Sequence, residues 1–391
     1  MGLICHHNAA SRNLLYRMTN TPPQKLRLLV APLDWGLGHA TRCIPLIHSL
    51  LQAQHTVVLA ASGPQKLLLQ QAFPQLTCLA LPGYGIRYST KGLVWGLLAQ
   101  IPKLLKAMAH ERRWLAQAVA THQLQVVISD NRYGLHHPTV PCVLVTHQLQ
   151  LALPTGFGFA QGLVRRLLYR HINRFTACWV PDYAATATHS LSGMLGHPAK
   201  PPRLPVHYLG WLSRFTPAPR PATPQYAAII VLSGPEPQRT QFENLLLPQL
   251  RQSTQPMLLV RGLPGSSQPL PQLPPHIQAH NHLGTGQLQA AFLNSQVLVS
   301  RSGYSTVMDA FTLGMRCIFV PTPGQTEQLY LAAHLARQQF CLCSQQQHFH
   351  LAQALATLQQ RRIAPPAPPP GPPLHLVASA LLAQLPAPKH P

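Results

Sequence analysis

Two doubly wound α/β domains facing a cleft are what the sequence predicts, on three observations. Short apolar runs that end in polar residues recur along the chain, each followed by a stretch with helical spacing, the pattern of parallel strands buried on both faces. A proline-rich segment at 215–225 interrupts the alternation once, and a fresh apolar run at 227–232 restarts it. The chain's 391 residues, 46% of them apolar, suffice for two cores.

The elements follow in order. Residues 1–24 show no periodicity and are expected to be disordered, with Met18 an alternative start. The first domain, 25–212, opens with a strand at 26–33, a glycine loop from Asp34 to His39 and a helix at 40–54. Strands at 56–61 and 76–81 flank a helix at 64–72, and a long helical pattern at 92–121 is broken at Pro102. Strands at 126–130, 142–147, 177–180 and 206–209 complete the domain, with a helix at 159–174. The linker, 213–225, leads to the second domain, 226–362, with a helix at 238–252, a strand at 257–261 and a helix at 287–294. A proline-rich segment with a last apolar helix ends the chain at 363–391.

Charge narrows the partners. Thirty Lys and Arg against eight Asp and Glu give a formal charge of +22, which calls for an anionic partner. Nucleic acid is disfavoured, because the basic residues are not interleaved with aromatic stacking positions. The eight acids are Asp34, Glu111, Asp130, Asp182, Glu236, Glu243, Asp309 and Glu327. Five of them, Asp34, Asp130, Glu236, Asp309 and Glu327, fall near the carboxyl ends of expected strands. The eight cysteines form no CxxC pair and read as buried thiols, with neither zinc site nor disulfide framework. Mean hydropathy is +0.04. No apolar run reaches the roughly 18 residues of a membrane span, and the N-terminus lacks a signal-peptide core, so the expected location is cytoplasmic.

The stretch 300–328 concentrates candidate ligand contacts. An apolar strand stops at Ser300, Arg301, Ser302 and Gly303 make a tight turn, and Ser305 is the expected N-cap of a helix carrying Thr306 and Asp309. A helix N-terminus presents unpaired N–H groups and partial positive charge, which suit a phosphate. A second strand then ends in a turn at 321–324, and Gln325, Glu327 and Gln328 open another helix. Paired strand-to-helix turns at one sheet edge are where α/β proteins bind nucleotides.

On the first domain, Gly36 and Gly38 allow close backbone approach, and His39 stands at the helix start. Its unperturbed pKa of about 6.5, lowered further by a helix N-terminus, suits a neutral general base. The glycine pattern lacks the third glycine and the later acid of a dinucleotide fingerprint. No HExxH, DxD, GxSxG or phosphate-loop motif occurs, which sets aside metal, serine-hydrolase and ATPase chemistry.

RSGYSTVMD at 301–309 and FVPTPGQTEQLY at 319–330, with GLGH at 36–39, resemble the MurG-type glycosyltransferases, nucleotide-sugar enzymes of the GT-B fold with two Rossmann-like domains. The resemblance implies an inverting, metal-independent transfer from a UDP-sugar co-substrate, with no cofactor, the donor on the C-terminal domain and the acceptor on the N-terminal one. It places Asp309 on the donor ribose, Ser305 and Thr306 on the diphosphate and Gln328 on sugar hydroxyls. His39 falls on the family's proposed base and His147 on an acceptor-side histidine. Asp130 is the cleft-side acid set beside His39 as catalytic. The expected donor set adds Ser233, Gly234, Arg239, Arg301, Ser302, Gly303, Gln325 and Glu327; the expected acceptor set is Gly36, Gly38, Arg42, His147 and Gln148. The chain departs from the pattern at 233–239, where one glycine and Glu236 replace a glycine-rich phosphate loop, at Leu329, and at Asp309, one methylene shorter than the family glutamate.

Arg166, Arg170 and Arg174 form a basic stripe, and Trp95, Leu97, Leu98, Ile101, Leu104 and Leu105 are interleaved with Lys91, Lys103, Lys106, Arg112 and Arg113. These resemble interfacial helices and point to a lipid-linked acceptor at an anionic membrane surface, peripheral on the inner face of the plasma membrane; a solvated face over a core helix is the alternative. Two further functions remain open: a nucleotide-sugar 2-epimerase, which needs more cleft-side carboxylates than Asp34 and Asp130, and a non-catalytic nucleotide-sugar or lipid-binding protein.

Overall fold

The computed structural model describes residues 25–85, 100–154, 156–184 and 190–388. The expected disorder of 1–24 and the residues Lys91, Trp95, Leu97 and Leu98 lie outside them.

The first sheet comprises β1 (Arg27–Pro32), β2 (Thr56–Ala61), β3 (Cys78–Ala80), β4 (Val126–Asp130), β5 (Cys142–Val145), β6 (Ala177–Val180) and β7 (Val206–Tyr208), in the order β3-β2-β1-β4-β5-β6-β7. The second comprises β8 (Tyr226–Val231), β9 (Met257–Val260), β10 (Ile277–His280), β11 (Ser295–Ser300), β12 (Arg316–Phe319) and β13 (Leu342–Cys343), in the order β10-β9-β8-β11-β12-β13. Every pairing is parallel, as the continuous apolar runs require. Alternate residues of β1 serve different cores: Leu28 and Val30 face one apolar layer, Leu29 and Ala31 another.

The helices are α1 (Leu37–Gln52), α2 (Gly63–Ala72), α3 (Ile101–His122), α4 (Gln161–Ile172), α5 (Gln238–Gln252), α6 (Thr285–Leu293), α7 (Tyr304–Thr312), α8 (Thr326–Arg337), α9 (Leu351–Gln360) and α10 (Leu374–Leu382). Pro102 sits in the first turn of α3, where an N–H has no intrahelical partner to lose; the part of the expected helical pattern before residue 100 lies outside the described residues. The strand β10 follows a proline-rich loop and is absent from the sequence reading; only Ile277 of its four residues is buried, so it carries almost no apolar signal. After the second sheet is complete, α10 crosses back and packs on α1, burying Ala378, Leu381 and Leu382. One apolar layer thus runs through both domains, with Ile44 and Leu46 of α1 and Val307, Met308 and Phe311 of α7 in the same core. Each such side chain is worth about 1.5–3 kcal/mol.

The linker is held to the second domain. Phe215 is buried edge-on against Phe292 at 5.3 Å, and Ser213 and Arg214 reach Asp309.

Candidate functional site

The carboxyl ends of β1, β4 and β5 carry one half of the site. Asp130 is the last residue of β4 and is fully buried. Arg42 follows His39 by one helical turn on α1, so both side chains point to the same face. Arg42 Nε donates to Asp130 Oδ2 at 2.6 Å, and Arg42 Nη2 pairs with Oδ1. His39 Nδ1 lies 2.7 Å from Asp130 Oδ1 and 2.9 Å from Arg42 Nη2. The shorter contact to a group that only accepts puts the proton on Nδ1 and leaves Nε2 as the basic nitrogen. Burial, and then Arg42, push the His39 pKa below its ordinary value against the opposing pull of Asp130. Burial alone would raise the pKa of Asp130, but Arg42 and His39 hold it well below the carboxylate range. At neutral pH the pair is therefore a neutral imidazole on an ionised carboxylate.

The network continues across the cleft. Arg42 Nη1 donates to His147 Nδ1 at 3.0 Å, so His147 carries its proton on Nε2 and donates to Glu327 Oε1 at 2.8 Å. Gln148 Nε2 donates to Glu327 Oε2. Burial opposes ionisation of Glu327, yet His147 holds its pKa below the ordinary value. Tyr304, the first residue of α7, stacks on His147 with centroids 4.0 Å apart and donates its hydroxyl to Pro181 O at 2.9 Å.

The glycine loop and α7 touch directly. Ser305 Oγ donates to Gly38 O at 2.7 Å. A Cβ at Gly38 would stand 3.2 Å from Ser305 Oγ, so the glycine is what lets the loop reach α7. The N-cap of α7 is Gly303, not Ser305; the serine is the second helical residue, and its hydroxyl is committed to the other domain. Gly36 is exposed at φ 72° as the N-cap of α1. Thr306 is partly exposed in the first turn of α7.

Two arginines expected at the phosphates face inward instead. Arg239 donates Nε to Glu236 Oε1 at 2.6 Å and Nη1 to Glu243 Oε2 at 2.8 Å, with Nη2 on Thr240 Oγ1. The acids at 236 and 243 capture it, and Arg261 closes the cluster with Nε on Glu243 Oε1 at 2.5 Å. Arg301 is 1% exposed, lies over the Phe242 ring at 4.2 Å and donates to the carbonyls of Val320, Pro321 and Gln238. It buttresses the strand ends; its position in the turn gave no sign of that. Ser302 Oγ likewise donates to Gln328 O at 2.8 Å, and Gln328 Oε1 accepts from Thr322 N at 2.8 Å, leaving the Gln328 amide nitrogen as its donor. Gln325 is the N-cap of α8. Ser233 is partly exposed and Gly234 exposed, at φ 103°.

Asp309 is buried within α7 and meets the linker: Oδ1 accepts from Ser213 Oγ at 2.8 Å and Arg214 N at 3.2 Å, and Oδ2 from Arg214 Nε at 3.0 Å. Burial raises its pKa against the pull of Arg214. Arg214 and Tyr304 were not among the sequence-derived site residues. An arginine next to a proline-rich linker and a tyrosine in a turn carry no local pattern that announces such contacts.

Residues 285–368 match the model of the glycosyltransferase family 28 C-terminal domain. The match is to that segment alone, about a fifth of the chain. The segment contains α7, α8 and the turns before them, so the second half of the cleft lies within it. No curated protein matches the chain in sequence. Among solved structures, the glycosyltransferase SnogD from Streptomyces nogalater is 14% identical with a TM-score of 0.58, covering 92% of this chain and 99% of its own. Spinosyn rhamnosyltransferase SpnG, complexed with thymidine diphosphate, is 16% identical with a TM-score of 0.55, covering 93% and 98%. MurG from Acinetobacter baumannii is 14% identical with a TM-score of 0.50, covering 91% and 94%. At these identities the likeness is one of fold: the chain has the two-domain GT-B architecture that the sequence motifs implied, and the segment that matches the family 28 model lies in its second domain.

Proposed function

We propose that the protein transfers a sugar from a UDP-sugar to a hydroxyl acceptor, with inversion and without a metal. The observation that carries this reading is the His39–Asp130 pair standing opposite the N-terminus of α7, which Ser305 ties to Gly38. The acceptor hydroxyl gives its proton to His39 Nε2 while its oxygen attacks the anomeric carbon from the face opposite the diphosphate. The carbon–oxygen bond to the diphosphate breaks, and the negative charge passes to the leaving group. Asp130 stabilises the imidazolium that forms. With Arg239 and Arg301 turned inward and the Ser305 hydroxyl held by Gly38, stabilisation of the diphosphate falls to the N–H groups of α7, to Thr306, and to the loop at Ser233 and Gly234.

Asp309 suits a ribose hydroxyl. Each carboxylate oxygen accepts about two hydrogen bonds, and Oδ2 has one from Arg214, so a ribose can bind without displacing the linker. Glu327 and the Gln328 amide are the groups for the sugar hydroxyls, and Gln325 flanks them. Gly36, Arg42, His147 and Gln148 form the acceptor side.

The acceptor is proposed to be lipid-linked and met at the inner face of the plasma membrane. No helix among the described residues is long and apolar enough to cross a membrane. The support is the mixed face of α4 and the turn before it, where Phe159 is 86%, Leu163 62% and Leu167 53% exposed beside the exposed Arg166 and Arg170. An apolar patch rimmed by cations suits an anionic bilayer.

The donor is tested by thermal unfolding with UDP, dTDP and ADP. A ligand at about 100 times its Kd adds about 2.7 kcal/mol. Stabilisation by UDP above the other two supports the reading; a larger effect of dTDP reassigns the base, and no effect of any removes the nucleotide donor.

A further inference from the structure

A groove of about 390 Å³ opens between α3, α4 and the loop after β4, remote in sequence from the donor residues. Its floor is apolar, with Leu105, Met108 and Leu167, and its walls carry Arg112, Arg170, Arg174, His136 and His171. Gly134 lets the loop close on α3, since a Cβ there would come within 2.5 Å of Glu111 Oε2 and Met108 O.

The chain has no acid left to neutralise these walls. All eight carboxylates are engaged by other partners: Asp34 and Glu111 meet Arg132, Asp130 Arg42, Glu236 and Glu243 Arg239, and Asp309 Arg214, while Asp182 accepts from Leu191 and Ser192, and Glu327 from His147 and Gln148. Glu111, which borders the groove, is 2% exposed and faces inward to Arg132 Nη1 at 2.7 Å, Tyr84 OH at 2.6 Å and Gly134 N at 3.1 Å. His171 Nδ1 is buried without a partner among the described residues. His136 rests edge-on against Phe175, and burial, then Arg174 and Arg112, push its pKa down to about 4. Three guanidinium groups converging beside an apolar floor suit a tetrahedral dianion better than a single carboxylate, because each presents a planar pair of donors.

We propose that this groove binds a phosphate monoester carried on an apolar chain, the phosphate among Arg112, Arg170 and Arg174 and the chain along Leu105 and Leu167 toward the exposed Leu163. The inference rests on the membrane-facing reading above and sharpens it from a general attraction to a site for one headgroup.

The test uses the full chain and neutral vesicles doped with phosphatidic acid, a phosphomonoester lipid, or with phosphatidylglycerol at equal surface charge. The triple variant Arg112→Gln/Arg170→Gln/Arg174→Gln alters exposed residues only. A control triple, Lys106→Gln/Arg113→Gln/Arg166→Gln, removes the same charge outside the groove. We expect tighter sedimentation with phosphatidic acid, a loss of about tenfold or more in the groove triple, and a smaller loss in the control. Phosphatidic acid is also expected to raise the His136 titration followed by NMR. Equal losses in both triples, or no preference between the lipids, overturn the groove site while leaving the membrane reading intact. No vesicle binding overturns both. Inorganic phosphate that matches the vesicles in shifting His136 reassigns the groove to a soluble anion and overturns the lipid.

Discussion

His147 and Glu327 meet across the cleft, Nε2 to Oε1 at 2.8 Å, while the other nitrogen of the same imidazole is held by Arg42. The residue proposed to hold the donor sugar is therefore wired to the carboxylate that orients the base. Replacing Glu327 by Ala removes this bond and the one from Gln148. The expected result is a loss of about 1–3 kcal/mol in stability and a larger radius of gyration by solution scattering. Unchanged scattering and stability would show that the pair does not hold the domains together.

The pH dependence follows from the depressed pKa of His39. A base works when neutral, so kcat/KM should rise with pH through a midpoint below the usual histidine value of about 6.5 and stay flat above it. Arg42 is one of the causes of the depression, so Arg42→Gln should move the limb upward in pH. A limb that stays in place in this variant would point to another titrating group.

Arg239 offers a test of separation between stability and binding. Its guanidinium is shared by the exposed Glu236 and the buried Glu243, and Glu243 keeps Arg261 when Arg239 is removed. Arg239→Gln should cost about 1–3 kcal/mol in urea unfolding and leave UDP affinity within about twofold, well under the 1.4 kcal/mol of a tenfold change. A large loss of affinity in a normally stable variant would return Arg239 to the phosphates.

Arg214 and Asp309 form the corresponding link between linker and donor helix. Arg214→Gln leaves Asp309 buried beside fewer donors and should destabilise by about 1–3 kcal/mol. Adding Asp309→Asn should recover part of that loss, since the uncompensated charge is gone. Strict additivity in the double variant would mean the two residues act independently.

Most of the parallel strands were legible because they are apolar over their length, β10 excepted, and the proline-rich linker because it falls between two runs of strand–helix alternation. His39, Asp130 and His147 were legible as polar residues at strand ends and helix starts. What escaped were long-range pairings. Arg239 and Arg301 have the composition of phosphate ligands, and only folding shows that Glu243 and a ring of carbonyls reach them first. The serine at 305 has the look of an N-cap, but the helix is capped two residues earlier, at Gly303, and the hydroxyl is spent on Gly38. The return of α10 to α1 depends on shape complementarity between distant apolar faces, which spacing along the chain does not encode.

The central claim is that His39, oriented by Asp130, removes the acceptor proton. The most direct measurement is release of UDP from a UDP-sugar in the presence of acceptor by wild type and His39→Ala, with donor Kd measured alongside. A fall in turnover of about 10²–10⁴ with Kd nearly unchanged is the predicted result. Unimpaired turnover in His39→Ala would contradict it.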